Sequence, residues 1–522
     1  MRSPWALRVV RIVILVGLVG PAPRAGFAQA VEPITYTVKF PAPAQHVAEM
    51  EAVYPTGGRA AIELMMPIWT PGFYRVENYA GKVQDLSART PDGQALEVEQ
   101  PKKNRWTIST GGAKRVLVSY KLKCDSRSVT TNWVGDDMAV LNGAATFLTL
   151  VENGTRPHHL RLELAANWKQ SMTGLEAAPS GKANHYHAAD FDTLVDSPIV
   201  LGNLDVHEFD VAGSKHLVVN AGDFASWDAN KATADLEKLV EEHRRTWGFL
   251  PFKRYVFICV FRQGGGGLEH LNSTLLTCSS KSMRTHESYL PWLVFVSHEY
   301  FHAFNVKRLR PVELGPFDYE NAPRTAGLWV AEGFTCYYDG LLTTRAGLAT
   351  PTDFLTRLSG NIDRLQKTPG RLEQTLEEAS LDVWTSSFSG IGGGDKTVSY
   401  YVKGPIVGFL LDAKVRHATK GAKTLDDVMR LAYQRYSGAK GFTPEQFRKT
   451  TQEVAGVDLQ AWFEKAVSST EELDYAEALD WFGLRFAPGD ATAKKAWRLE
   501  IRDGATEAQR GRLKAWLGPA RE

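Results

Sequence analysis

The spacing of apolar residues changes near Asp205, and this change constrains the fold more than any other feature of the sequence. Before it, short alternating runs recur between clusters of Gly, Pro, Asn and Asp, which is typical of a β-sandwich or an open sheet. After it, apolar residues fall at helical spacing in Ala232–Trp247, and helical patterns dominate from Tyr289 onward. We therefore predict a multidomain chain with a β-rich part, a mixed part and a helical part.

The predicted boundaries follow from this change of pattern. Residues 31–205 should form a β-rich N-terminal domain, 206–345 a mixed α+β domain, and 346–522 a helical C-terminal domain. A chain of 522 residues is long enough for three or four domains of ordinary size. The predicted strands are Ile34–Phe40, Arg59–Met66, Arg115–Leu122, Thr146–Val151, His159–Leu164 and, in the mixed domain, Tyr255–Phe261.

Residues 1–30 are predicted to be a secretory signal peptide. Three arginines precede the apolar run Ile12–Val19, and Ala28–Ala30 places small residues at both positions of an A-x-A cleavage site. A retained membrane anchor is the alternative, but the apolar run is about half of the roughly 20 residues that span a bilayer. We therefore expect an exported protein, periplasmic or extracellular, without stable membrane insertion after the signal peptide is cleaved.

The charge balance argues against nucleic-acid binding, and the cysteine spacing argues against a thiolate zinc site. Lys and Arg total 61 against 59 Asp and Glu, so the chain lacks the basic excess that binds nucleic acid. The four cysteines form no CxxC pair, which leaves a thiolate zinc site unsupported. Cys259 and Cys278 each lie in or at the end of a strand-like run, where they could form a disulfide on adjacent strands or remain as buried thiols.

The strongest local signal is the run His298-Glu299-Tyr300-Phe301-His302, an HExxH match. Two histidines four residues apart lie on one face of a helix, so both imidazoles can reach one zinc ion. Glu299 can then hold a water molecule beside that metal. The preceding apolar run Leu293–Val296 suits a buried helix, whereas the alternative is a surface helix on which these side chains form ion pairs.

A zinc ion bound by two histidines needs a third protein ligand, because a catalytic site takes three and leaves one position for water. Glu332 is the best candidate, since it stands in the apolar run Leu328–Thr335, where an unpaired carboxylate would be costly to bury. Pairing of Glu332 with an arginine is the alternative. Glu320 and Glu313 are rival ligands, although their surroundings resemble loops.

Two further motifs carry residues suited to peptide chemistry. Gly264–Gly267 follows the predicted strand Tyr255–Phe261, and Gly266 and Gly267 would let a peptide backbone approach a strand edge closely. Glu269 then supplies a carboxylate; the alternative is a flexible loop with a solvated Glu269.

The second of these motifs is Tyr400-Tyr401, which opens an apolar helical stretch, Ile406–Leu411. A tyrosine hydroxyl near zinc can donate a hydrogen bond to a developing oxyanion. The alternative is that these tyrosines only pack in the core.

These motifs, in this order, resemble those of the gluzincin metallopeptidases. The closest resemblance is to the glycyl aminopeptidase family, which is related to the zinc aminopeptidase family that includes leukotriene A4 hydrolase. His298–Pro311 is similar to the extended signature of the glycyl aminopeptidase family, with Phe304 where Trp is common. Met66–Tyr74 resembles part of its N-terminal domain, and the likeness covers about residues 34–485.

The resemblance implies a fold and a role for each site residue. It implies a β-rich N-terminal domain, a thermolysin-like catalytic domain and a helical C-terminal domain. It assigns His298, His302 and Glu332 to one zinc ion per chain and Glu299 to the catalytic base. It further assigns Tyr401 to oxyanion stabilisation and Glu269 to the substrate's free α-ammonium group.

The predicted activity is therefore zinc-dependent hydrolysis of the N-terminal peptide bond of peptides with a free N-terminus. A zinc endopeptidase with the same HExxH chemistry is one alternative, and a catalytically inactive peptide-binding relative is another. Many members of the resembled family carry a PDZ domain near the C-terminus. Only about forty residues follow Phe482 here, so we expect no full PDZ domain.

Overall fold

The computed structural model describes residues 31–152, 155–384, 393–488 and 497–518. The predicted signal peptide, residues 1–30, lies outside the described residues. None of the described helices combines the length and the apolar character needed to cross a membrane.

The N-terminal part is β-rich, as predicted, because its sequence alternates apolar and polar residues over short runs. Its elements are β1 (Ile34–Lys39), β2 (Val47–Pro55), β3 (Ala61–Met65), β4 (Val83–Arg89), β5 (Ala95–Leu96), β6 (Val98–Lys102), β7 (Arg105–Ser109), β8 (Arg115–Lys123), β9 (Trp133–Val134), β10 (Met138–Leu141), α1 (Gly143–Thr146), β11 (Thr149–Leu150), β12 (His158–Glu163), β13 (Gln170–Thr173), β14 (Glu176–Ala177), β15 (His185–Ala188), α2 (Phe191–Val195) and β16 (Ile199–Gly202).

These strands form three sheets around one apolar core. The largest has the order β14-β15-β12-β1-β2-β8-β4-β5, and a smaller one has the order β11-β3-β7-β6. Alternate residues of β1 and β2, such as Tyr36, Val38 and Met50, are buried between them. The third sheet, β13-β16-β10-β9, faces the next part of the chain.

The prediction of a strand over Thr146–Val151 is wrong for most of its length. Thr146 ends the short helix α1, and β11 contains only Thr149 and Leu150. Buried tyrosine hydroxyls take the backbone oxygens that a neighbouring strand would otherwise bind. Tyr36 and Tyr54 both donate to the Leu148 carbonyl, and Tyr120 donates to that of Thr146.

A five-stranded sheet with a helix follows in the chain. Its elements are β17 (Asp205–Val211), β18 (Ser214–Gly222), α3 (Ala229–Trp247), β19 (Arg254–Phe261), β20 (Gly267–Glu269) and β21 (Ser273–Cys278). The strand order is β17-β18-β19-β21-β20, so the short strand β20 lies at an edge of the sheet. β18, β19 and β21 run parallel, while β20 runs antiparallel to β21.

Both faces of this sheet are buried, which explains why β19 is apolar from Tyr255 to its end. Val256, Ile258 and Val260 face the third sheet of the N-terminal domain. The intervening residues, such as Phe257 and Cys259, face the helices. Residues on alternate sides of one strand therefore join the two parts of the molecule.

The remaining described elements are mainly helical. They are α4 (His286–Phe301), α5 (Phe334–Arg345), α6 (Pro351–Lys367), α7 (Leu376–Leu381), α8 (Tyr400–Ala418), α9 (Leu425–Tyr436), α10 (Pro444–Ala455), α11 (Gln460–Phe463), α12 (Ala476–Phe482), β22 (Leu484–Phe486), β23 (Leu499–Ile501) and α13 (Glu507–Leu517). A π-helical turn, Trp329–Gly333, leads into α5.

Two glycines bring α8 against the start of α5. A Cβ added at Gly404 on α8 would overlap the α-carbon of Gly333, and one at Gly333 would overlap Gly404. The two backbones can meet only because neither residue has a side chain. This contact holds the N-terminal end of α8 beside the π-helical turn.

All four cysteines are free thiols. Cys259 and Cys278 lie on the adjacent strands β19 and β21, as the sequence suggested, and both are buried. Their burial as small apolar side chains agrees with the second of the two expected states.

Candidate active site

The C-terminal end of α4 presents the two histidines of the HExxH run. His298 lies in its last turn, and His302 follows directly as the C-cap residue. The helix is held by buried apolar residues such as Leu293 and Val296. The four-residue spacing turns both imidazoles to one side, so that the Nε2 atoms of His298 and His302 lie 3.0 Å apart.

Glu332 reaches the same point from the π-helical turn. Its Oε2 atom is 3.2 Å from Nε2 of His302 and 3.5 Å from Nε2 of His298. π-helical turns are rare and occur mostly at functional sites. The Asn305 side chain donates to the carbonyl oxygens of Val330 and Ala331, and so ties this turn to the end of α4.

The two rival carboxylates lie elsewhere. Glu320 accepts hydrogen bonds from Arg105 and Asn104 of the N-terminal domain. Glu313 accepts one from the Thr325 hydroxyl. The structure thus brings only Glu332, of the three candidates, to the imidazoles.

The other ring nitrogen of each histidine also has a partner. Nδ1 of His302 lies 2.9 Å from the backbone oxygen of Asn305, which favours a proton on Nδ1 and a free lone pair on Nε2. Nδ1 of His298 lies 3.4 Å from Oδ2 of Asp339, and Arg357 donates to the same carboxylate. Carboxylates and carbonyls in these positions orient metal-binding histidines.

Glu299 and Gly267 meet where the edge strand passes α4. A Cβ added at Gly267 would overlap Oε1 of Glu299, so only glycine allows this approach. The Glu299 carboxylate is 4% exposed, and its Oε2 atom has no hydrogen-bond partner among the described residues. The catalytic base predicted from the motif therefore lies against the edge strand, with one oxygen unengaged.

Glu269 ends the edge strand and is equally enclosed. It is 3% exposed, and its Oε1 atom has no partner in the described part of the chain. Gly72, from the Met66–Tyr74 segment, closes over it, since a Cβ there would overlap the carboxylate. The N-terminal domain therefore forms one wall of the site.

Burial governs the protonation of these carboxylates. It raises the pKa of Glu299 to about 8, and it raises the pKa of Glu269 against the opposing charges of His302 and Lys307. Burial would also raise the pKa of Glu332, but the two imidazoles outweigh it and hold that pKa low. We call these five residues, His298, His302, Glu332, Glu299 and Glu269, the site cluster; it holds more carboxylate than imidazole.

The tyrosines at the start of α8 border the site cluster. The Tyr401 ring lies 6.5 Å, centroid to centroid, from the imidazole of His298, and 4.7 Å from the ring of Tyr400. Burial raises the pKa of both hydroxyls, and Glu332 adds to the effect, so both stay protonated and able to donate. Tyr74 of the N-terminal domain adds a third buried hydroxyl, which has no partner among the described residues; burial raises its pKa, and the charges of Glu332 and Glu269 add to the effect.

A buried ionic network around Asp196, which the sequence did not indicate, supports the site. Asp196, just beyond α2, binds Lys307 at 2.6 Å, contacts His270 at 3.2 Å and accepts a hydrogen bond from the Leu271 amide. His270 and Leu271 directly follow Glu269 in the chain, and Lys307 comes five residues after His302, so Asp196 connects the edge strand to the end of the HExxH run. Asp196 is 111 residues from Lys307, so no local pattern links them.

Asp339 is the missed residue that the sequence could have revealed. It stands seven positions after Glu332, which is two helical turns along α5, and therefore shares its face of the helix. The chain also offers Cys336 on that face, with Sγ 3.7 Å from Nδ1 of His298. A search for polar residues at helical spacing from Glu332 would have found both.

Two family models match the chain. The Peptidase M61 N-terminal domain matches residues 35–203, and the M61 glycyl aminopeptidase model matches residues 292–407. Together they cover more than half of the chain and include the HExxH run, Glu332 and Tyr401. The chain belongs to the M61 glycyl aminopeptidase family. It is accordingly a metallopeptidase of the aminopeptidase type, as the motifs indicated.

Solved structures place this M61 peptidase among the aminopeptidases in fold. An aminopeptidase N family protein from Idiomarina loihiensis has a TM-score of 0.82 at 27% identity and covers 86% of this chain and 78% of its own. A variant M1 zinc metallopeptidase from Deinococcus radiodurans, bound to the substrate Tyr-Ser-Ala, has a TM-score of 0.53 at 14% identity over 85% and 95%. The second likeness concerns the fold alone. No curated protein matches the M61 peptidase in sequence.

Proposed function

We propose that this M61 peptidase is an exported, zinc-dependent aminopeptidase that removes the first residue of peptides with a free N-terminus. Its catalytic part would be a thermolysin-like domain built on the five-stranded sheet and α4. One observation carries the proposal. His298, His302 and Glu332 converge on a single point, and beside it Glu299 and Glu269 each hold a carboxylate oxygen that has no hydrogen-bond partner among the described residues.

The ligand atoms suit zinc. Tetrahedral zinc with bonds of about 2.0–2.1 Å places its ligands about 3.3 Å apart. The three distances between the Nε2 atoms of the histidines and Oε2 of Glu332 are 3.0, 3.2 and 3.5 Å. When bound, zinc would act as a Lewis acid and make a water molecule acidic enough to attack at neutral pH.

Glu299 would move the proton. Its free Oε2 can accept a proton from the attacking water and pass it to the departing amine. The positive charge of a bound zinc ion would favour the ionised form of this buried carboxylate, which is the form that accepts the proton. The contact of Oε1 with Gly267 would keep the carboxylate beside a substrate held on the edge strand.

Tyr401 would stabilise the oxyanion. Its hydroxyl stays protonated because burial raises its pKa, and the ring lies beside His298. A donor fixed near the metal is aimed at the charge that develops on the carbonyl oxygen. Tyr400 is the neighbour with which it must be compared.

Glu269 would restrict the enzyme to N-terminal bonds. A buried carboxylate with an unpaired oxygen is costly, and a substrate ammonium group would relieve that cost. Gly72 and the rest of the N-terminal wall close the site beyond Glu269, which supports room for one substrate residue on that side. Holding the amine there also positions the first peptide bond at the metal.

Paired kinetics on one short peptide, with a free and with an acetylated N-terminus, test the specificity. We expect cleavage of the free peptide and little or none of the acetylated one. Glu269→Gln should raise KM and lower kcat on the free peptide, while zinc content stays unchanged. Equal native rates on the two peptides would instead favour the endopeptidase.

Export rests on the leader sequence alone and has its own test. Residues 1–30 fused to a reporter enzyme that works only outside the cytoplasm should give activity. Replacing Leu15 and Val16 of the apolar run by Asp should abolish it. Reporter activity that survives these changes would contradict export through this leader.

A further inference from the structure

Three histidines of the N-terminal domain lack a hydrogen-bond partner. The chain has 13 histidines, and all but three have at least one ring nitrogen within hydrogen-bond distance of a polar atom. Within the described ranges the exceptions are His159, His185 and His187, which form neither a hydrogen bond nor an ion pair. The Nδ1 atom of His187 is nevertheless shielded from solvent. Shielded polar atoms are normally paired, so this cluster is a candidate ligand site.

Strand pairing places these three imidazoles on one face of the largest sheet. His159 of β12 lies directly opposite His187 of β15. Paired residues project from the same face, and so do residues two apart in one strand, so His185 shares that face. Tyr186, between the two histidines of β15, packs against the N-terminal core on the other side. The face of the three imidazoles is the outer one, because the alternate residues of β12 on it are partly or fully exposed.

The spacing of His159 and His187 suits one metal ion. Their ring centroids are 5.3 Å apart, and the ring planes meet at 61°. Two imidazoles bound to one tetrahedral ion, at metal–nitrogen distances of about 2.0–2.1 Å, have ring centres about 5 Å apart. In the site cluster the rings of His298 and His302 are 4.5 Å apart. The pair on the outer face is therefore already spaced as two ligands of one ion.

Two further donors lie beside this pair. His185 is the diagonal neighbour of His159 across the strands, at a backbone distance of about 7–8 Å. Glu176 of β14 lies directly opposite His187 on its other side and is exposed. Around His298 the ligand atoms already lie together, whereas His185 and Glu176 would have to turn about their side-chain torsions to join the pair. Their exposure to solvent allows that rotation.

The surroundings keep these imidazoles neutral, as metal ligands must be. Burial lowers the pKa of His159 and that of His185, and the charges of Arg161 and Lys182 lower the pKa of His185 further. Arg161 is itself bound by Glu163 at 2.9 Å, so its charge is partly compensated. A neutral imidazole without a hydrogen-bond partner keeps a lone pair that a metal ion can use.

We propose that His159, His185 and His187, with Glu176 beside them, bind a divalent transition-metal ion on the outer face of the N-terminal domain. We call these four residues the outer site. Imidazoles with a carboxylate suit zinc, copper and nickel, whereas calcium and magnesium prefer oxygen ligands alone. The ion would join β12 and β15 to β14, which contributes only two residues at the edge of the sheet. Its role is to stabilise that edge, and it takes no part in peptide hydrolysis.

Equilibrium dialysis of the full chain against zinc tests the proposal. We expect about two zinc ions per native chain. The first fills the site cluster, where the ligand atoms already lie together, and the second binds the outer site more weakly. His159→Gln and His187→Gln should each leave about one ion at the same free zinc concentration. His185→Gln and Glu176→Gln should weaken binding of the second ion, because each removes one of its donors.

Two matched variants separate the outer site from other zinc binding. His286→Gln removes an exposed histidine that contacts Asp353, and it should keep the native zinc content. Glu332→Ala should remove the ion of the site cluster and leave the second ion in place. A single ion that depends on His187 but not on Glu332 would support the outer site and contradict the zinc site of the proposed function.

Two outcomes would overturn the proposal. The first is a native chain that binds a single ion, which is lost with Glu332→Ala and kept with His187→Gln. The second is an additional ion that survives both His159→Gln and His187→Gln, which would be an adventitious ion only.

Copper identifies the ligands, and thermal unfolding measures the role of the ion. One equivalent of Cu²⁺ added to the zinc-loaded protein should give an electron paramagnetic resonance spectrum with nitrogen splitting, which His187→Gln should remove. Zinc above one equivalent should raise the unfolding temperature of the native protein but not that of His187→Gln, because only the native outer site binds it. The kcat of His187→Gln should equal that of the native enzyme. A copper spectrum unchanged by His187→Gln, or equal thermal shifts in the two proteins, would contradict the proposal.

Discussion

Two buried clusters of charged residues differ in how their charges are matched. The first, here called the paired cluster, consists of Asp412, Arg416, Arg345 and Asp426. Arg416 binds Asp412 at 2.9 Å, and Arg345 binds Asp426 at 2.9 Å. Two positive and two negative groups thus balance.

The hydrogen bonds of the paired cluster are complete as well. Tyr337 and the Leu425 amide donate to Asp412, and Tyr338 donates to Asp426. Every carboxylate oxygen therefore has a partner. Burial alone would raise the pKa of Asp426, but Arg345 and Arg416 outweigh it and keep that pKa low.

The site cluster is just as buried but is not balanced. In the described part of the chain, Glu269 and Glu299 each keep an oxygen without a hydrogen-bond partner, and the Nε2 atoms of the two histidines lie 3.0 Å apart. Buried polar groups are normally satisfied by the fold itself, so a concentrated exception marks the place where ligands complete the structure. We infer from this difference that the charges of the paired cluster stabilise the fold, whereas those of the site cluster would bind a metal and a substrate.

Replacing the proposed catalytic base of the site cluster should have the largest effect, a loss of activity without a loss of stability. Glu299→Gln should lower kcat by about 10³-fold or more, because the amide cannot accept the water proton. Zinc content should stay the same, and stability to urea should stay equal or rise, since a buried carboxylate that the fold does not pair is removed. Steady-state kinetics, elemental analysis and urea unfolding measure the three quantities; a clear loss of stability would show that Glu299 also supports the fold.

Breaking the paired cluster should have the opposite result. Asp412→Asn leaves Arg416 buried without a counter-charge and should lower the free energy of unfolding by about 3–5 kcal/mol. We expect kcat of the folded variant to change little. Asp363→Asn, which removes an exposed ion pair with Lys367, is the matched control and should cost less than about 1 kcal/mol. A stable Asp412→Asn protein with impaired kcat would contradict the division between the clusters.

The two tyrosines sharpen the assignment within the site. Tyr401→Phe should lower kcat about a hundredfold with KM and zinc content nearly unchanged, as is typical for the loss of one oxyanion donor. Tyr400→Phe is the matched control and should have a much smaller effect. A rise in KM alone for Tyr401→Phe would identify a ground-state contact, and a larger effect at Tyr400 would reverse the assignment.

Asp339 belongs partly to each kind of cluster, because it pairs with Arg357 and also contacts His298. Asp339→Asn should weaken zinc binding about 10- to 100-fold, because an amide orients the imidazole less firmly. Competition with a chelating dye measures this affinity. Unchanged affinity together with reduced stability would show that Asp339 only supports the fold.

Local patterns predicted the elements that depend on neighbouring residues. The helix expected over Ala232–Trp247 is α3, Ala229–Trp247, and the strand expected over Tyr255–Phe261 is β19, Arg254–Phe261. Four-residue spacing was enough to foresee that His298 and His302 would share one face. The strand expected over Thr146–Val151 failed because tyrosines from distant strands bind its carbonyl oxygens.

Contacts between distant segments could not be predicted from the sequence. Glu320 could be excluded as a metal ligand only through its contact with Arg105, which lies 215 residues away in the chain. The closure of Gly72 over Glu269 likewise joins two domains.

The central claim is that the site cluster is completed by one zinc ion. Anomalous diffraction from crystals grown with zinc, measured above and below its absorption edge, tests this most directly. We predict one peak in the site cluster of each chain, about 2.0–2.2 Å from Nε2 of His298, Nε2 of His302 and an oxygen of Glu332. The absence of a peak there, or a single peak on the other side of His298 between Cys336 and Asp339, would contradict the account.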